Sequence, residues 1–435
     1  MRDLLPATTP ADERRFLMLQ GPHGPFFDML AGMLRAAGAE VWRVGFNRGD
    51  EAFWSDSAHF IPFRDAAEAW PEACTAILAE RRITDLVLYG DTRPIHAIAA
   101  RLARAAGILV HVFEEGYIRP YWITYERGGS NGNSRLMSTS IAEMRAALSW
   151  AASDPPSAPA RWGEMRQHIW YGAIYHWFVL ARNAGYPHFR PHRATSVMRE
   201  FVLYLRRLVL MPVHSVGRFI AQRRIRNGGF PYHLALLQLD HDASFRDHSS
   251  FDSIADFIEL CCAAFAIGAP RHHHLVFKSH PLEDDRVALG RVIDDATARH
   301  GLQGRVHFVR SGKLAALLND ARSAVTVNST AAQQVLWRGL PLKTLGRAVY
   351  GKPELVSNQP LIEFFRNPRR PDTNAYRDFR HYLIETSQIA GGFYSARGRR
   401  MLLRQVIDIL LAAEDPYDAL RLGTAAPRHK LRVLG

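Results

Sequence analysis

At 435 residues the chain is long enough for two domains with substantial cores, and 47% hydrophobic against 22% charged residues excludes an intrinsically disordered polymer. A net charge of +13 calls for an anionic partner, whether nucleic acid, an anionic membrane surface or a phosphorylated ligand. Three cysteines, Cys74 and the adjacent Cys261 and Cys262, offer neither a disulfide framework nor a metal-ligand spacing.

Phe16-Leu17-Met18-Leu19 has strand length and is too short for a secretory signal core. No uncharged apolar run reaches the roughly 18 residues of a transmembrane helix, so the expectation is a cytoplasmic protein. The loop Gln20-Gly21-Pro22-His23-Gly24-Pro25 leads into a helix with apolar spacing at Phe27, Leu30, Met33 and Leu34. Val41–Val44 is the next strand. This is a Rossmann-type unit, but its loop is not a Gly-x-Gly-x-x-Gly fingerprint, so no dinucleotide cofactor is expected. Asp85–Gly90 and Ile108–Phe113 give further buried strands, the second running into Glu114-Glu115-Gly116-Tyr117-Ile118-Arg119-Pro120. Two carboxylates and an arginine at a buried strand end suit acid–base work, or a plain Glu–Arg pair. Residues 1–140 read as one α/β domain with a parallel sheet.

A Pro/Ser-rich break spans Ser153–Pro159. The insertion 141–228 is rich in aromatic residues: Trp162, Trp170, Tyr171, Tyr175, Trp177, Phe178 and Tyr186. It also contains the run Phe201–Met211 with Arg206 and Arg207, then Arg218, Arg223, Arg224 and Arg226. Aromatic rings interleaved with arginine suit a membrane interface, or a helical cover whose arginine stems lie over apolar surface. No nucleic-acid motif accompanies the charge.

A second α/β domain is expected over 229–350. His233–Gln238 is its first strand, followed by Asp240, Asp242 and Ser244. Leu275-Val276-Phe277 ends near His280-Pro281, since proline cannot continue a central strand. Ala324–Val327 ends at Asn328-Ser329-Thr330, whose hydroxyls can cap a following helix with an affinity for anions. A histidine and a capped helix start at neighbouring strand ends make a phosphate cradle. Residues 351–435 read as a helical tail. Two α/β halves with a cleft between them give the expected class: α/β, GT-B-like, with two Rossmann-type domains, a central helical insertion and C-terminal helices.

The ordered set of motifs resembles the capsular polysaccharide biosynthesis and export proteins of the KpsS/LipB type. It comprises Leu19–Pro22 with Phe26-Phe27, Phe113–Pro120 with Trp122-Ile123-Thr124, Gln238–Ser244, and His280-Pro281. Asn328–Thr330 with Gly339-Leu340-Pro341, and Gly391-Gly392-Phe393-Tyr394, complete it. The resemblance implies a peripheral inner-membrane β-Kdo transferase using CMP-β-Kdo and a lyso-phosphatidylglycerol-type acceptor, with retention and without metal or other cofactor. Other capsule-assembly proteins are implied as possible partners, and nucleic acid is not. It further implies that the His-Pro and Ser/Thr motifs hold the CMP phosphate, and that an aspartate shortly after Gln238 is the nucleophile. Asp242 matches best and Asp240 second. Glu115 or Glu114 is the candidate base and Arg119 the candidate partner of the sugar carboxylate. Gln20, Gly21, Pro22, Gln238, His280, Pro281, Asn328, Ser329 and Thr330 are the expected substrate-binding residues. Two rival expectations are a non-catalytic assembly or export component and a nucleotide-sugar epimerase.

Overall fold

Short apolar runs bounded by Gly, Pro or charged residues become the strands of two sheets. The computed structural model describes residues 11–150, 165–189, 216–240, 242–281, 283, 286–310 and 312–425. Its strands are β1 (Arg15–Met18), β2 (Glu40–Gly45), β3 (Phe60–Pro62), β4 (Asp85–Tyr89), β5 (Leu109–Glu115), β6 (Trp122–Arg127), β7 (Tyr232–Leu236), β8 (His274–Lys278), β9 (Val306–Val309), β10 (Ala321–Thr326), β11 (Leu342–Thr344) and β12 (Gln388–Ala390). Contacts divide the chain into two units, one of residues 1–135, 142–192 and 380–435, the other of 136–141 and 193–379. Each holds a Rossmann-type α/β sheet, the class expected from the sequence.

The first unit's sheet has the order β12-β6-β5-β4-β1-β2-β3. Side-chain alternation splits its core into two layers. Phe16, Met18, Val87 and Phe113 pack with the helices Phe26–Ala36 and Ala396–Leu411. Leu17, Leu19, Leu86, Leu88, Val110 and Val112 pack on the other face with Trp70–Glu80 and Pro94–Ala105. The sheet is not wholly parallel as expected, because β6 pairs antiparallel with both β5 and β12. Gly116 makes the reversal: a Cβ there would lie 2.3 Å from Trp122 O, a distance only glycine permits. Buried Glu126 of β6 accepts hydrogen bonds from the hydroxyls of Tyr117 (2.6 Å), Tyr417 (3.0 Å) and Ser134. Burial, with the charge of Asp415 adding to it and the three hydroxyls opposing, pushes its carboxyl up to about 7.

The aromatic stretch forms the helix Met165–Ala181, which belongs to this unit. Its inner face sets Tyr171 beside Arg399 (3.2 Å, hydroxyl to guanidinium) and Tyr175 beside Asp50 (3.2 Å). Its outer face leaves Ile169, Trp170, Trp177 and Leu180 exposed. The run Phe201–Met211, with Arg206 and Arg207, and Trp162 lie outside the described residues.

The second unit's five strands are all parallel, in the order β11-β10-β7-β8-β9. Ala235, Leu275, Phe277, Val325 and Val327 face a core closed by Phe257, Cys261, Phe265 and Phe365 from the helices Ile254–Gly268 and Leu361–Arg366. Ser253 and Asp256 form a capping box at the start of the first of these helices. Gly268 is required at its end, since a Cβ would lie 2.0 Å from Ile362 O. Residues 216–227 form a further helix, with Val216, Phe219 and Ile220 exposed among Arg223, Arg224 and Arg226.

Candidate active site

Strand order locates the candidate sites. Open α/β sheets bind ligands beyond the carboxyl ends of their strands, where the chain leaves one strand to build outwards in both directions. In the first unit β1 is flanked by β2 and β4, and in the second β7 is flanked by β8 and β10. The switch points therefore lie between β1 and β4 and between β7 and β10.

Gln238 and Asn328 stand at the second of these, each two residues past its strand. They clasp one another: Gln238 Nε2 donates to Asn328 Oδ1 at 2.8 Å, and Asn328 N donates to Gln238 Oε1 at 3.0 Å. Both side chains are buried, and Asn328 Nδ2 also reaches His248 O at 3.4 Å. The clasp fixes the loop that carries Ser329 and Thr330. Ser329 Oγ accepts from Ala331 N at 3.2 Å, and its carbonyl accepts from the Tyr350 hydroxyl at 2.6 Å. The expected helix after this cap is only a 3₁₀ turn, Thr330–Ala332, running into Gln333–Leu336. So short an element sums few peptide dipoles, and an anion here would depend on local N–H groups and side chains.

On the other side of β7, β8 ends at Lys278, two residues before the half-buried His280, with Pro281 exposed. The two aspartates past β7 differ in use. Asp240 Oδ1 accepts from Ile254 N at 2.9 Å, and its other oxygen lies 3.6 Å from Arg246 Nη2. Asp242 is exposed, and its carbonyl accepts from Phe245 N (3.0 Å) and Arg246 N (3.1 Å) at the start of the helix Ala243–Asp247.

In the first unit Glu114 and Glu115 are the last two residues of β5, opposite Thr124 and Ile123 of β6. Adjacent strand residues point to opposite faces. Glu115 thus shares the face of Phe113, on which Tyr89 and Tyr394 also pack. Burial pushes both tyrosine hydroxyls up, with the negative charge of Glu115 and Glu114 adding to it. His168, whose ring stands edge-on to Tyr394 at 4.1 Å, is held below its ordinary value by burial, with Glu115 opposing. Glu114 lies over Gly90, where its Oε2 would be 3.1 Å from a Cβ. Arg119 is exposed, donates Nε–H to Gly116 O at 3.2 Å and forms no ion pair with either glutamate among the described residues.

The Gln20 loop is built into a buried network. Gln20 Nε2 donates to Asp50 Oδ2 (2.9 Å) and to the Tyr175 hydroxyl (3.4 Å), while Asn47 Nδ2 donates to the same hydroxyl at 2.8 Å. His23 stacks on the Tyr175 ring at 4.4 Å. Gly21 lies under Phe27, whose ring would meet a Cβ at 2.7 Å, and Pro22 is buried. With its amide committed, Gln20 holds the loop in shape.

A family model described as capsule polysaccharide biosynthesis protein matches residues 84–394, a span that includes every motif above except the Gln20 loop. The chain belongs to this family. Among its relatives, the capsule polysaccharide modification protein LipB of Neisseria meningitidis serogroup A is 33% identical over 391 residues, 87% of this chain and 91% of that protein. The capsule polysaccharide export protein KpsS of Escherichia coli is 30% identical over 387 residues, 88% of this chain and 97% of that one. Among solved structures, the β-Kdo 2,7 transferase of Thermosulfurimonas dismutans KpsC is similar at a TM-score of 0.44 and 10% identity, covering 91% of this chain and 100% of that one. So distant a likeness bears on neither donor nor acceptor. Within this capsule family member, sequence reasoning missed Tyr89 and His168 as companions of the strand-end motifs, and named Tyr175 only as part of the aromatic stretch. The Gly391–Tyr394 motif pointed to Tyr394, which packs in the same cluster.

Proposed function

We propose that the chain is a retaining glycosyltransferase that uses CMP-β-Kdo to start a capsule Kdo linker on a lyso-phosphatidylglycerol-type lipid. Family membership and the motif resemblance support the substrate class. The observation that carries the reaction type is the position of Asp242, exposed in the loop that follows the Gln238–Asn328 clasp at the end of β7. Retention follows from two inversions. Asp242 Oδ attacks the anomeric carbon, the bond to the phosphate oxygen breaks with its electron pair, and CMP leaves. An acceptor hydroxyl then attacks the same carbon, its proton passes to a general base, and Asp242 is released as the carboxylate. His280 and Ser329 stabilise the negative charge that grows on the departing phosphate.

Among the described residues no helix is long and apolar enough to cross a membrane, and the acceptor is a lipid. Attachment of a peripheral kind is supported by the helix Met165–Ala181, which is apolar on both faces: Trp170 and Trp177 are 63% and 51% exposed, where a surface helix is ordinarily polar. Indole rings favour the headgroup level of a bilayer. Incubation with CMP-Kdo and lyso-phosphatidylglycerol, followed by mass spectrometry of the lipid, tests the whole reading. A lipid product heavier by one Kdo is expected. Lipid binding without transfer would instead favour a non-catalytic component, in keeping with the export role in the name of the Escherichia coli relative.

A further inference from the structure

Among its described residues the second unit buries a cation, Lys278, with no carboxylate beside it. Lys278 is the last residue of β8, in register with Leu236 of β7 and Val309 of β9. Leu275 and Phe277 enter the apolar core, so by strand alternation Lys278 lies on the opposite face of the sheet. It is 5% exposed. Its Nζ makes one hydrogen bond among the described residues, to Ser279 O at 3.1 Å, and no carboxylate pairs with it there. An ammonium carries three donors, so two are left uncommitted. Burial alone lowers its pKa to about 8, which leaves it largely protonated at neutral pH. A buried ion without a partner opposes folding, and such a cost is tolerated where a ligand supplies the missing charge. Lys278 stands at the strand-end edge, two residues before His280 and one strand from the Gln238–Asn328 clasp.

We propose that Lys278 is an anion-binding residue that neutralises a phosphate group of the ligand held at the ends of β7, β8 and β10. This rests on the reading above that a phosphate-bearing donor occupies this edge, and it adds the cation which the 3₁₀ turn after Ser329 does not supply. The phosphate has two possible sources, a nucleotide or a glycerophospholipid headgroup, and the ligands below separate them.

The test is calorimetric titration of the full chain and of Lys278→Met and Lys278→Arg with CMP, cytidine, inorganic pyrophosphate and glycerol 3-phosphate, with melting curves of each ligand-free protein. Lys278→Met is expected to bind CMP at least tenfold more weakly, to leave cytidine binding unchanged, and to melt at or above the wild-type temperature. Lys278→Arg should regain part of the loss. Loss of glycerol 3-phosphate binding instead of CMP binding would assign the lysine to the lipid headgroup. Pyrophosphate binding lost in Lys278→Met, with no CMP binding by the wild type, would refute the nucleotide reading and keep this one. CMP binding by Lys278→Met within twofold of wild type would overturn the lysine's role and leave the proposed function standing. Equal losses for cytidine and CMP, or a variant that melts markedly lower or fails to fold, would make Lys278 structural and overturn it. Wild-type protein that binds none of the four ligands would overturn both readings.

Discussion

Glu126→Gln isolates the energetic consequence of burying a carboxyl among hydroxyls. Glu126 accepts from Tyr117, Tyr417 and Ser134, and Tyr117 lies with Arg119 in the turn that follows Glu114 and Glu115 of β5. Burial raises the carboxyl from its ordinary 4.5 to about 7 in the folded chain. Between those values the folded state holds a proton that the unfolded state has released, so stability falls as pH rises. The contribution is complete below 4.5 and is lost as pH climbs through about 7. A difference of about 2.5 units at about 1.4 kcal/mol each amounts to roughly 3 kcal/mol. That corresponds to a Tm shift of about 6–12 °C for a unit of this size. The glutamine amide imitates the shape of the protonated carboxyl and cannot ionise. Melting curves from pH 4.5 to 8.5 should therefore show the wild type losing stability relative to Glu126→Gln, with the variant ahead at pH 8. A difference independent of pH would refute this origin of the strain, and a variant less stable at pH 8 would mean that the carboxylate is stabilised in place.

His280→Ala should weaken CMP binding by roughly 10- to 150-fold, the equivalent of a charge-assisted contact of about 1.5–3 kcal/mol; unchanged affinity in calorimetry would remove the histidine from the site. Asp240→Ala, which deletes the acceptor for Ile254 N, should cost about 1 kcal/mol of stability while keeping transfer within tenfold, and abolished transfer would move the nucleophile to Asp240. Co-sedimentation with vesicles of phosphatidylglycerol and phosphatidylethanolamine should weaken as salt rises, since exposed charges are screened over about 8–10 Å near physiological ionic strength. It should weaken further in the double variant Trp170→Gln, Trp177→Gln; binding unaffected by these changes would place membrane contact elsewhere.

The strands of both sheets were legible because central parallel strands are buried on both faces and read as continuous apolar runs, as in Leu234–Leu237 and Leu275–Phe277. β3, a three-residue edge strand with no buried side chain, was not, and neither were β6 and β12. β6 places Thr124 and Glu126 at buried positions, and β12 is three residues long, so neither shows an apolar run or a clean alternation. The strand-end motifs were legible for a related reason: a His-Pro step and a Ser/Thr cap mark where a strand stops. What surrounds them was not, because the partners come from remote stretches. Tyr394 reaches Tyr89 from a tail whose helix Ala396–Leu411 packs into the first core. Tyr175 and His168 arrive on an aromatic helix whose composition says nothing about which ring turns inward. Lys278 reads in sequence as an ordinary strand terminus, and its burial with no carboxylate beside it among the described residues marks it out.

Asp242→Asn, exposed briefly to CMP-Kdo and examined by intact-mass spectrometry beside the wild type, bears most directly on the proposed transfer. The substitution keeps the side chain's shape and removes the charge of an exposed residue, so the fold and CMP affinity should be retained. Wild-type protein without acceptor should gain the mass of one Kdo, mapped by peptide digestion to Asp242. The variant should gain none and transfer several orders of magnitude more slowly. Near-normal transfer by a folded Asp242→Asn would contradict the assignment.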